Sequence, residues 1–440
     1  TAMLTDRQWI RGELDDIPLY DAHTHIDSGH PGARGLQDIL LYHMVISDLR
    51  SAGCSRGDRL SESPGEEEVR ERIGGALPYW PHIAGTSCAW GVRTILGDLY
   101  GWQEPILPDN WMALHDRIRE RAGDPPWYRE ILARAGIVRY STEWARRGPD
   151  DPGDLVRYSL EWAFFTRSQW GRYDTALLEL EWAWSQGQPG LPLPVTLAGE
   201  EPALSRHIRT TEDVREAILH YCDRIPYEQI ASMASHLSTD LDYGPVDDRS
   251  MTAALARRDR AGPEERNIYA CYVFEHFLDA YERRGAGPVL QFSIGAEPLP
   301  YETGSKLRTE TLYQLVPIFA RHPGIHFQLF LASAHQNQAL CTLARELPNV
   351  SVAGYWWHNF FPSFIRRVME ERLDMLASNR QVGFFSDAYC VEWAYAKARI
   401  VRAQLADVLS DQVAQGRFGR GEAVSIARRI LYETPLALFG

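Results

Sequence analysis

His23 and His25 stand one residue apart, with Asp21 two positions before them, in the run Asp21-Ala22-His23-Thr24-His25. The run follows a short apolar stretch, Ile17-Pro18-Leu19-Tyr20. If that stretch is a β-strand, alternate residues share a face. Both imidazoles then project together from the strand's C-terminal end. Two neutral imidazoles on one face supply half of a site for zinc, iron or nickel. In a β/α barrel, that end of a strand carries the catalytic groups. The plainer reading is an incidental or structural histidine pair. The position after a first strand, with Asp21 just ahead, favours the metal.

A further candidate ligand lies far along the chain. Asp387 ends Phe384-Phe385-Ser386-Asp387. A carboxylate after the last strand of a barrel comes back beside the first strand when the barrel closes. There it could ligate the metal or take a proton from water; as a plain structural residue it would cap the next helix. Tyr355-Trp356-Trp357-His358-Asn359 follows the strand before it. Trp356 and Trp357 cannot both face the core, so one is expected to wall the mouth of the site; a plug between barrel and helices is the alternative. His358 lies past the strand end and is a weaker third nitrogen. His43 falls in a helix, where a lone histidine is more often a packing residue. His82 and His335 lie in turn-rich or post-strand segments and are weaker still.

Placing these groups together requires a particular order of elements. After the first strand comes a Gly-, Pro- and His-rich loop at 26–35, then helical spacing from Leu36 to Ala52 that stops at Gly53. Residues 61–285 read as a large and mostly helical insertion, with a short strand candidate at Ile137–Tyr140. No repeat period is evident. From 286 onward strands are expected at 288–294, 325–331, 350–353 and 382–385, separated by helices. Strands alternating with helices of this length imply a parallel sheet. An open doubly wound sheet would open with a Gly-rich phosphate turn, whereas this first strand leads into histidines. The expected fold is therefore α/β, a (β/α)8 TIM barrel in one domain.

The 440-residue chain is 45% hydrophobic and carries a formal net charge of −13. That charge argues against a general nucleic-acid binder. No apolar run of about 18 residues suggests a membrane span, and no secretory leader is evident. Six scattered cysteines form no Cys-x-x-Cys pair. They read as buried free thiols of a cytoplasmic protein rather than a disulfide framework. A small polar molecule is the expected ligand, and a homo-oligomer the expected assembly.

Taken together, these residues resemble the amidohydrolase superfamily of metal-dependent barrels, most closely its uronate isomerase branch. There the first strand ends in Asp-x-His-x-His, matched by Asp21, His23 and His25. A histidine about twenty residues later, before an Arg-Ser stretch, is matched by His43 and Arg50-Ser51. A Trp-Trp pair after the seventh strand is matched by Trp356 and Trp357, and a metal-contacting Asp after the eighth by Asp387. The resemblance implies one divalent ion, with zinc expected and manganese or iron as alternatives, held by His23, His25 and Asp387. It further implies catalytic roles for Asp387 and His43, and substrate contacts from Trp356, Trp357, Tyr389, Arg50 and Ser293.

Two positions depart from the branch. Uronate isomerases carry Asp-Ser-Arg after strand eight, where the Arg suits a substrate carboxylate; here the triplet is Asp387-Ala388-Tyr389. Ser293 stands where the fifth strand would supply a His. Three readings follow. The first is an aldose–ketose isomerase of a sugar acid or related polyol. The second is hydrolysis, decarboxylation or hydration of another small polar compound through activated water, since a fold does not dictate a reaction. The third is a barrel that binds without catalysis.

Overall fold

The computed structural model describes residues 5–55, 64–148, 151–162, 175–187, 189, 203–285, 287–295, 307–356 and 361–440. Its centre is one eight-stranded sheet whose strands are neighbours in chain order. They are β1 (Leu19–Asp21), β2 (Ile137–Glu143), β3 (Val156–Glu161), β4 (Ser232–Leu237), β5 (Val289–Ile294), β6 (Phe327–Leu331), β7 (Val350–Ala353) and β8 (Gln381–Val382). Every pairing is parallel. All the C-terminal strand ends therefore lie on one rim, where His23, His25 and Asp387 are found.

The sheet curls on itself. Gln291 on β5 donates from Nε2 to the carbonyl of Ala22 beyond β1, at 3.2 Å. The segments after the two edge strands also meet. His25 N–H donates to Ala388 O at 2.8 Å, and Asp387 N–H to His23 O at 2.9 Å. Inside the curl a buried polar layer runs from strand to strand: Ser232 Oγ donates to Ser159 Oγ, and Gln291 Nε2 to Gln328 Oε1. Buried polar side chains must find such partners. The layer explains why β3 and β4 look unlike core strands in sequence.

The stretch expected as a helical insertion, 61–285, is thus not one piece. It contains β2, β3 and β4 as well as helices. β4 reads Ser-Met-Ala-Ser-His-Leu, because its inner face joins the polar layer and only its outer face packs against helices. A local near-repeat also lies here: Val138-Arg-Tyr-Ser-Thr-Glu-Trp144 and Val156-Arg-Tyr-Ser-Leu-Glu-Trp162. The two copies form adjacent strands. Their arginines, Arg139 and Arg157, both donate to Gly440 O at one end, and their glutamates reach the opposite rim.

The helix expected over Leu36–Ala52 is two helices, Leu36–Leu40 and His43–Ser51. Tyr42 breaks it, in an extended conformation (φ −64°, ψ 141°), and this turns its phenol towards the chain after β8. Helices pack outside the sheet through two large apolar clusters. The helix Val391–Ala414 is buried along most of its length. All six cysteines are buried and free. Among the described residues no helix is long and apolar enough to cross a membrane.

Candidate metal centre

The site is built from the rim residues of β1 and of the chain after β8. His23 and His25 leave β1 with their rings edge-on, centroids 5.1 Å apart. Asp387 Oδ1 stands 3.1 Å from His25 Nε2 and 3.6 Å from His23 Nε2. One donor atom from each of the three residues lies within 4.8 Å of the others. Ion–donor bonds of about 2.1 Å put neighbouring donors of a tetrahedral ion about 3.4 Å apart. Two imidazoles and a carboxylate at these spacings fit a divalent cation.

Charge supports the same assignment. Burial and then the neighbouring His25 push the His23 imidazole down to about 4; it is neutral, as a ligand must be. Burial works against charge on His25 too. The Tyr389 oxygen, Asp387 and Glu143 outweigh it and hold His25 well above its ordinary value. Burial would raise the Asp387 carboxyl, yet the His25 hydrogen bond and the His25 and Lys397 charges hold it well below the usual carboxylate range. The negative charge of Asp387 and Glu143 is thus balanced by the proton on His25, which a divalent cation would displace.

Glu143, at the end of β2, was not legible as a site residue. Its Oε1 accepts from His25 Nδ1, and its Oε2 accepts from Arg146 Nε at 2.7 Å. His25, Glu143 and Glu161 also form a group of closely spaced donors. A neutral imidazole has one lone pair. A cation would displace the Nε2 proton that His25 gives to Asp387; with Nδ1–H kept on Glu143, the lone pair so freed is on Nε2, facing Asp387, and Glu143 is already neutralised by Arg146. The Asp387 side is therefore the metal side. A carboxylate behind a ligating histidine sets its tautomer and ring direction. The twofold Tyr-Ser-x-Glu-Trp sequence was the signal that could have singled out Glu143 and Glu161.

The other expected residues fall into place unevenly. Tyr389 stacks on His25 (4.9 Å, 24°), and the Arg146 guanidinium lies over the Tyr389 ring at 5.8 Å. His43 lies 5.7 Å from the Tyr389 ring, edge-on, at the rim rather than in outer packing. Arg50 is two turns further along the same helix, about 10 Å from His43 along the axis. Ser293 lies on β5. Its hydroxyl bonds His236 Nδ1 at 3.0 Å, so β4 brings an imidazole to the place where β5 has none. His236 was missed because β4 reads as helix. Burial lowers its pKa to about 4.

Trp356 is buried against Phe330 (5.5 Å) and His236 (5.8 Å), and Phe330 in turn touches His23 (5.2 Å). Trp356 thus walls the site from inside. Gly354, at φ +42°, lets the backbone pass Phe385, whose ring a methyl group there would strike. Trp357 and His358 lie outside the described residues. His82 and His335 are exposed.

No protein-family profile and no curated protein matches this sequence. Solved structures do. A uronate isomerase from Thermotoga maritima superposes with a TM-score of 0.78 at 15% identity, over 99% of this chain and 97% of its own. A glucuronate isomerase from Caulobacter crescentus gives 0.78 at 17%, over 99% and 93%. The fold is that of the uronate isomerases. A uronate isomerase from Bacillus halodurans aligns over the whole chain and 98% of its own, at 14% identity and a TM-score of 0.67. Because the uronate isomerase fold is matched from end to end, the chain between β1 and β5 is part of that shared architecture.

Proposed function

We propose that this chain is a metal-dependent (β/α)8-barrel enzyme that interconverts the aldose and ketose forms of a sugar acid or related polyol. The observation that carries the reading is the convergence of His23, His25 and Asp387 on the strand-end rim, within ligand spacing of one another. A divalent ion bound there would polarise the carbonyl and hydroxyl oxygens of a substrate.

The remaining work belongs to the chain. Asp387, held ionised, suits a ligand and makes a weak proton acceptor, since a good general base is poised near the working pH. Moving a proton between adjacent carbons therefore passes to His43, the imidazole beside Tyr389. Tyr389 and Trp356 line the pocket, and the Phe330–Trp356 wall keeps water from the His23 side. Ser293 orients His236 by accepting from its Nδ1 while donating to Ser235 O, so that Nε2 can accept one hydrogen bond from a substrate hydroxyl. The reaction is tested by NMR in D2O with glucuronate, galacturonate and neutral aldoses. Ketose signals with deuterium at C1, and at C2 of the aldose after the back reaction, all lost in Asp387→Asn, are expected. The absence of ketose signals with every sugar would overturn isomerisation.

Tyr389 in place of an arginine keeps a second reading open: hydrolysis or a lyase reaction on a different polar compound. Turnover of such a compound with no sugar exchange would select it.

A further inference from the structure

Asp387 is the one non-glycine residue among those described with a positive φ, at 54°. Asp tolerates the left-handed region better than most residues but still pays for it sterically. Such a conformation persists only where its surroundings over-determine it. Here they do. Ser386 N–H donates to Asp21 Oδ1 at 2.7 Å. Asp387 N–H donates to His23 O, and Ala388 O accepts from His25 N–H. Ala388 N–H donates to Ser386 Oγ at 3.2 Å.

The two carbonyls left over are held by side chains from elsewhere. Tyr42 Oη donates to Asp387 O at 2.9 Å. Lys397 Nζ donates to Ser386 O at 2.5 Å and to Tyr42 Oη at 2.8 Å. Every backbone polar group from 386 to 388 is thus tied down. Tyr42 is itself stacked on Trp393 (4.8 Å, 28°), and Lys397 Nζ lies 5.0 Å from the Tyr42 ring. Lys397 is 1% exposed. A buried ammonium needs hydrogen-bond partners to be tolerated, and this one finds its partners in the turn that carries the metal-facing carboxylate.

We propose that Tyr42 and Lys397 form a buried clamp that holds Asp387 in its left-handed turn and so aims its carboxylate at His23 and His25. Both are positioning residues: each acts on the ion only through Asp387. The clamp also accounts for the helix break at Leu41–Tyr42, since a continuous helix would carry the phenol away from Asp387. The inference rests on the metal-site reading above.

The test is Mn2+ binding by calorimetry, with the melting temperature measured with and without Mn2+, for wild type, Tyr42→Phe and Lys397→Met. Tyr42→Phe keeps the ring and removes one hydroxyl, so it remains informative if Lys397→Met does not fold. Mn2+ affinity roughly 10- to 100-fold weaker in a folded variant is expected, the range seen when an outer partner of a metal ligand is removed. The Mn2+-induced rise in melting temperature should shrink with it. A role in stability alone would lower both melting temperatures equally and leave affinity unchanged, which would overturn the clamp. Failure of wild type to bind Mn2+ would instead overturn the metal-site reading beneath it.

Discussion

Asp387 Oδ1 lies 3.1 Å from His25 Nε2 although 362 positions separate the two residues. The sheet's curl brings the chain after β8 back to the chain after β1. The contact joins the first and last strands of the fold, and the proposed metal site sits on that seam.

Removing one imidazole tests the site directly. His23→Ala should abolish stoichiometric metal, measured by elemental analysis, and activity with it. In the unaltered protein, metal at 100 times its Kd should add about 2.7 kcal/mol of stability. A variant that keeps full metal content and activity would rule out His23 as a ligand.

Glu143→Gln keeps the shape behind His25 and removes its charge. Metal affinity should fall roughly 10-fold or more, with the melting temperature little changed because the amide can still accept from His25. Unchanged affinity would mean that the β2 carboxylate does not direct the ring.

Phe330 is 1% exposed and joins His23, Trp356 and Phe385. Phe330→Ala should cost about 3–5 kcal/mol in chemical denaturation, the usual range for emptying an aromatic site. A cost below about 1 kcal/mol would show that the wall closes up without it.

His326 gives a pH prediction away from the metal. Burial, with Arg380 nearby, lowers its pKa from 6.5 to about 4, and Nε2 bonds Ser351 Oγ at 2.9 Å. Below pH 6.5 the unfolded chain takes a proton that the folded chain refuses. Its contribution is therefore whole above pH 6.5 and is lost as the pH falls towards 4, at up to about 1.4 kcal/mol per pH unit. His326→Gln should flatten the fall of melting temperature between pH 6.5 and 4.5. Parallel curves would contradict a neutral buried His326.

The sequence by itself determined what depends on local pattern. A spacing of two put His23 and His25 on one side of a strand end, because side chains alternate along a strand. The regular exchange of apolar strands and helices after residue 286 made the parallel sheet legible, along with most element positions there. Tertiary structure alone decided which distant groups meet. β3 and β4 were hidden because their inner faces are polar, so His236 and Glu161 went unseen with them. Glu143 became part of the site only when parallel pairing brought the end of β2 beside His25. Tyr42 and Lys397 reached Asp387 only through a helix break and the packing of the helix after β8. Spacing within a strand or helix is a property of the local chain, but which strand ends become neighbours follows from how the sheet curls, and no local pattern encodes that.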